Sequence, residues 1–178
     1  MYLLVICLVH SFPIGTKPMR KILKLFLPIL MWSFVEFTSV AQPAGSYISE
    51  EVQNVCVKYG EEYGICPELL MAMVEKESSG RPDAENGGCK GLMQISDRWH
   101  TDRMERLGVT DIYDVDANIH VGTDYLAELF EEYGEAVTVL MVYHGEKNAV
   151  EKAENGEISK YADWILTRSA ELERWNGK

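Results

Sequence analysis

From residue 48 onward, apolar residues recur every three or four positions, and glycines punctuate the runs they form. Val52, Val55, Cys56, Tyr59 and Tyr63 share one face of a predicted helix that Ser49 caps and Gly64 stops. Pro67 opens a second helix, where Leu69, Leu70, Met73 and Val74 make a stripe, and Gly80 and Pro82 close it. The next run, DAENGGCKGLMQIS from Asp83 to Ser96, is glycine-rich without helical period and predicts a turn or short β-hairpin. A short helix is expected near 102–107, ending at Gly108. Asp114 caps a longer one carrying Ile119, Gly122, Leu126, Leu129, Phe130 and Tyr133, and Gly134 ends it. Further helices are expected from Glu135 through Tyr143 to Gly145, and over the short AVEKAENG run. Ser159 caps the last helix, whose one face carries Tyr161, Trp164, Ile165, Arg168, Leu172 and Trp175, Arg168 laying its stem there. No repeat and no alternating strand pattern appears, so the expected class is all-α with at most a small β-hairpin.

One residue spoils this pattern. Glu77 falls in the middle of the second helix's apolar stripe, while Glu75 points the opposite way and reads as a solvated surface charge. A carboxylate on a face bound for the core is costly unless it is paired, protonated or lining a cleft. Glu77 also stands in the last turn, where the helix dipole disfavours negative charge, so both effects raise its pKa. A carboxylic acid still protonated near neutrality is what donation to a glycosidic oxygen requires. A buried Glu tied to a partner for structure alone fits the spacing equally well.

The N-terminus changes the picture of where the protein acts. After a first Met-led segment, Met19-Arg20-Lys21 and Lys24 form a charged start, Leu25 to Val35 an apolar stretch, and Ser39-Val40-Ala41 a small-residue cleavage site. We read 1–41 as a signal peptide with translation starting at Met19, 42–47 as a linker and 48–178 as one domain. An uncleaved membrane anchor is the alternative, though the apolar stretch is short for a bilayer span and Glu36 interrupts it. No stable membrane association is expected after processing.

Across the chain, 17 basic residues face 28 acidic ones, a net charge of −11, and removing the basic leader makes the balance more acidic. That argues against nucleic acid, whose phosphates call for clustered Lys and Arg. Cys56, Cys66 and Cys89 remain after processing, enough for one disulfide and one spare thiol, with Cys56 to Cys66 slightly preferred and three free thiols the alternative. His100, His120 and His144 lack metal-ligand spacing, and neither metal nor cofactor is expected. The run Asp114 to Asn118 imitates a calcium loop, but Ile119 stands where Gly is needed and Tyr125 where Glu is needed. Trp99, beside His100, suits packing and sugar stacking equally.

Several motifs together point further. Glu77-Ser78, a short spacer and then Gly91-Leu92-Met93-Gln94-Ile95 resemble the signature of the soluble lytic transglycosylase domain, the goose-lysozyme-like branch of the lysozyme superfamily. ANIHVGTDYLAEL resembles that family's Asn-Ile, Gly and Tyr-Leu helix, Val142-Tyr143-His144-Gly145 its Ala-Tyr-Asn-Ala-Gly, and Tyr161-Ala162 its last motif. The likeness runs in the right order from about Ile48 to Ala170.

The resemblance implies a lysozyme-like fold and an enzyme that cleaves the β-1,4 bond of peptidoglycan glycan strands without consuming water. It makes Glu77 the acid and then the base, so no second catalytic carboxylate is required. It has Ser78 support Glu77 or the sugar, Met93 and Gln94 line the saccharide cleft, and Tyr143 and Tyr161 bring hydroxyls to the carboxylate or the N-acetyl group. His144 replaces the family's usual Asn, which puts a group that titrates near neutrality at a substrate position. Cys89 replaces a small residue. A water-using muramidase on the same scaffold and a non-catalytic wall-binding module are the alternatives.

Overall fold

The computed structural model describes residues 45–178. The expected signal peptide lies outside the described residues, as does the first half of the expected linker. Seven helices follow in order: α1 Glu50–Tyr63, α2 Pro67–Ser78, α3 Asp97–Leu107, α4 Val115–Tyr133, α5 Ala136–Tyr143, α6 Ala149–Glu154 and α7 Lys160–Trp175. Between α2 and α3 two short antiparallel strands, β1 Glu85–Asn86 and β2 Cys89–Lys90, pair Glu85 with Lys90 and Asn86 with Cys89. The fold is therefore all-α with one small hairpin. Three helix starts follow from side-chain caps: Ser49 accepts from the Val52 amide, Asp114 from Ala117 and Ser159 from Ala162. Among the described residues, no helix is long and apolar enough to cross a membrane.

Helix α2 is the axis of the core. It packs against both α1 and α7, and Leu69 through Val74 are all buried. A helix enclosed in this way has almost no solvent face, with only Lys76 exposed, so its off-stripe acids are buried too. Glu75, expected as a surface charge, is 2 % exposed. Its carboxylate is held by the Arg168 guanidinium of α7 at 2.6 Å and accepts from the Ser46 hydroxyl at 2.6 Å. Arg168 thus brings its charge, as well as its stem, to the interior. Glu68 is buried likewise, and Lys178 and Asn176 hold it at 2.8 and 2.9 Å.

The second half of the expected linker is fastened down. The Tyr47 hydroxyl donates to the Glu75 carbonyl at 3.0 Å, and Arg168 donates to the Gly45 carbonyl at 3.0 Å. These polar contacts fix backbone that composition alone reads as loose.

Helix α3 begins at Asp97, earlier than the pattern predicts, and bends at His100, where φ is −119° and ψ 19°. It has no buried residue. Ion pairs hold it to α4: Arg103 to Asp124 at 2.5 Å, Arg106 to Asp124 at 2.6 Å and Arg103 to Glu128 at 2.5 Å. A helix docked by charge leaves little apolar period to read.

The preferred Cys56–Cys66 bridge is absent, and all three described cysteines are free. Cys56 is sealed in the core, where burial pushes its thiol up to about 12. The Cys66 thiol donates to Glu68 at 3.1 Å instead. Alkylation of the native protein is therefore expected to modify Cys66 first and Cys56 only after unfolding, with three thiols titrating under non-reducing denaturation. A disulfide-linked peptide in the map would overturn this.

Candidate active site

Glu77 occupies the last turn of α2, half-buried, and the Tyr161 hydroxyl of α7 donates to its Oε1. Burial raises the Glu77 carboxyl above the ordinary carboxylate range, against the lowering effects of the Tyr161 hydrogen bond and of His144 and Lys76 nearby. Burial and the Glu77 charge in turn hold the Tyr161 and Tyr143 phenols well above their usual range, so both remain neutral donors. The His144 ring stacks on Tyr161 at 4.0 Å and lies 3.5 Å from Glu146 through Nδ1.

One residue of α4 anchors the hairpin segment at three points. Asn118, fully buried on α4, donates through Nδ2 to the Lys90 carbonyl at 3.0 Å and the Ile112 carbonyl at 2.8 Å, while its Oδ1 accepts from the Met93 amide at 2.8 Å. Gly91 makes this approach possible. Its φ is +73°, and a Cβ there would lie 2.1 Å from Asn118 Nδ2. The Tyr143 hydroxyl adds a 2.9 Å bond to the Met93 carbonyl.

The segment's side chains divide differently from the sequence reading. Met93 does not line a cleft. It is fully buried, and a Cβ on Gly122 would come within 2.5 Å of its sulfur. Ser78 is buried, and its hydroxyl donates to the Val74 carbonyl of its own helix at 3.1 Å, so it supports the turn that carries Glu77. Gln94 has a left-handed φ of 49° and donates to the Gly91 carbonyl at 2.9 Å.

Gln94 and Tyr143 do line a groove of about 460 Å³, together with Cys89, Trp99 and Tyr125. Cys89 and Tyr143 both feel the Glu77 charge, though Glu77 itself is not among the residues that line the groove. Its one lining carboxylate, Glu128, is tied to Arg103. A second concavity of about 390 Å³, lined by Gly45, Ser46, Met71 and Trp175 among others, contains none of this chemistry.

Sequence reasoning gave no role to Asn118 or to the Glu75–Arg168 pair. An Arg on the apolar face of α7 was the available signal for the pair. For Asn118, an amide one turn past its cap residue among apolar neighbours was a weaker one.

A half-buried acid at a helix end, a phenol on it and a groove nearby are the parts of an acid-catalysing site. A family model for the transglycosylase SLT domain matches residues 54–164, and the chain belongs to that family. It is 36% identical over 114 residues to the "Transglycosylase" of Enterobacteria phage PRD1, covering 61% of this chain and 42% of that protein. It is also 32% identical over 119 residues to "Protein IpgF" of Shigella flexneri, covering 62% of this chain and 76% of that one. Among solved structures, an inactive mutant of the lytic transglycosylase Slt from Pseudomonas aeruginosa has the same fold, with a TM-score of 0.59 and 16% identity over 70% of this chain and 24% of that chain. The chain thus spans under half the length of the phage relative and about a quarter of the solved one.

Lowering the pKa of Glu77 is the contribution of the Tyr161 hydroxyl that substitution can isolate. Tyr161→Phe removes a donor to the charged form, so the Glu77 pKa rises further. If Glu77 works as a protonated general acid, the alkaline limb of kcat/KM is expected to move to higher pH in this variant. A limb that stays or moves down would mean that the hydroxyl does not tune Glu77.

Proposed function

We propose that this chain is an exported peptidoglycan lytic transglycosylase that cleaves the β-1,4 bond between N-acetylmuramic acid and N-acetylglucosamine, leaving a 1,6-anhydro-muramyl end. The observation that carries the reading is one carboxyl, Glu77, whose burial favours the protonated form, while the lone carboxylate lining the groove, Glu128, is tied to Arg103. A pair of glycosidase carboxylates is the usual arrangement for consuming water.

Glu77 gives its proton to the glycosidic oxygen as the bond to muramyl C1 breaks. The substrate's own N-acetyl oxygen closes onto C1 and takes up the positive charge. The Glu77 carboxylate then removes the C6 hydroxyl proton, O6 bonds to C1 and the acetamido group is released. The carboxyl ends protonated, ready for the next cycle. Tyr161 steadies the carboxylate between the two proton transfers, Gln94 and Tyr143 face the glycan, and His144 takes the place of an amide at the edge of the site.

The names of the phage and Pseudomonas relatives support a transglycosylase, and a peptidoglycan substrate implies action outside the cytoplasm, in keeping with the leader-like N-terminus. The test is mass spectrometry of muropeptides released from purified sacculi in ¹⁸O water. Anhydro ends without label are expected. Labelled reducing ends would make the protein a hydrolytic muramidase, and binding without any product would make it a wall-binding module.

A further inference from the structure

Besides the exposed Trp99 indole, the groove holds two charged groups bound to each other, Arg103 of α3 and Glu128 of α4. Arg103 is the one permanent cation among the residues lining the groove, in a chain whose net charge is −11. His100, which also lines it, is held neutral, because burial and the Arg103 charge lower its pKa against the opposing effect of Glu128.

The guanidinium is held unevenly. Nη1 donates at 2.5 Å to Asp124, a carboxylate as buried as Arg103 itself and shared with Arg106, and these bonds dock α3 on α4. Nη2 donates to Glu128 Oε2 at 2.5 Å. Nε, which shares an edge with Nη2, is buried and has no hydrogen-bond partner. That edge is the two-pronged face on which a carboxylate binds with both oxygens, and Glu128 fills only half of it. A buried N–H left unmet on a charged group is a standing cost. Glu128 is also easily moved: its side chain is 60 % exposed against 10 % for Arg103, so water replaces the guanidinium at little cost when it swings away.

We propose that Arg103 is a subsite for a carboxylate carried on the muramyl residues of the glycan strand, and that Glu128 occupies it until substrate arrives. The proposal rests on the glycan-cleaving reading above and deepens it by naming what is recognised on the strand besides its sugars. A muramyl residue bears a lactyl ether whose carboxyl is either free or linked to a peptide with carboxylates of its own, whereas N-acetylglucosamine bears no anion. The incoming carboxylate takes Nε and Nη2 together, Glu128 turns to water, and Nη1 stays on Asp124, so α3 keeps its place. Arg103 touches no reacting atom, so the contact strengthens ground state and transition state alike.

Calorimetry in the Glu77→Gln background compares muramyl-containing strands with neutral N-acetylglucosamine oligomers of the same length. Arg103→Met is expected to weaken muramyl strands about tenfold and to change the neutral oligomers by less than about twofold. In the enzyme with Glu77 intact, the same substitution is expected to raise KM about tenfold on muramyl strands while kcat changes by less than about twofold. Glu128→Ala removes the internal competitor without touching the Asp124 bonds, and is expected to tighten muramyl strands about threefold with the neutral oligomers unchanged. Strands that keep their peptides and strands stripped to the free lactyl carboxyl are run in parallel, and the preparation that responds identifies the carboxylate.

An equal loss on muramyl and neutral ligands in Arg103→Met would make the residue structural and overturn the subsite. Unchanged muramyl affinity in Arg103→Met, or no tightening in Glu128→Ala, would overturn it too, while cleavage by the unaltered protein would leave the glycan-cleaving reading intact. If the unaltered protein neither bound nor cleaved the strands, the parent reading and the subsite would fall together.

Discussion

Replacing Glu77 by Gln is expected to lower wall-lytic activity by at least about a hundredfold, the usual contribution of a positioned general acid. The amide keeps the volume of the carboxyl and can still accept from Tyr161, but it cannot give a proton to the leaving oxygen or take one from the C6 hydroxyl. Because the proposed mechanism uses one group twice, both halves of the reaction are expected to stop. Turbidity clearing of sacculi and muropeptide release measure the loss, and retained melting temperature with retained glycan binding distinguishes it from misfolding. Full activity in the variant would remove Glu77 from the mechanism.

The second large effect concerns stability. Arg168→Met is expected to destabilise the fold by about 3–5 kcal/mol, because it leaves the Glu75 carboxylate uncompensated in the interior. Thermal melting should fall by roughly 10 °C or more for a domain of this size. The double variant Glu75→Met with Arg168→Met removes both charges and is expected to regain much of that loss, since apolar replacements of a buried pair are often close to neutral. An unchanged melting temperature in Arg168→Met would show that the pair contributes nothing.

Activity is expected to fall along with stability. Helix α7 brings Tyr161 to Glu77 and Arg168 to Glu75 at the end of α2, so the buried pair helps to hold the register that puts the phenol on the acid.

The two glutamates show where sequence reading holds and where it fails. Glu77 stood out because a carboxylate interrupted an apolar stripe, and that conflict is local and visible at helical spacing. Glu75 was misplaced because the same logic assumes that the face opposite a stripe meets water. Helix α7, which lies far along the chain, covers that face. Met93 and Ser78 were legible as motif positions, but the direction of each side chain depends on Gly122 beside Met93 and on a hydroxyl turned back to its own helix.

Apart from the start of α3, the helices, their Ser and Asp caps and their glycine stops were legible in the sequence alone, as was a turn or hairpin after α2, because each depends on contacts within a few residues of chain. The acidic balance and the order of the family motifs belong with them. Tertiary structure decided the rest: the enclosure of α2, the Glu75–Arg168 pair, the free thiols, the Asn118 bonds that set the hairpin, and the exposure of Trp99 in the groove. Each of these joins groups far apart in sequence, and the free energy of burying or pairing them depends on which element of the folded chain arrives opposite.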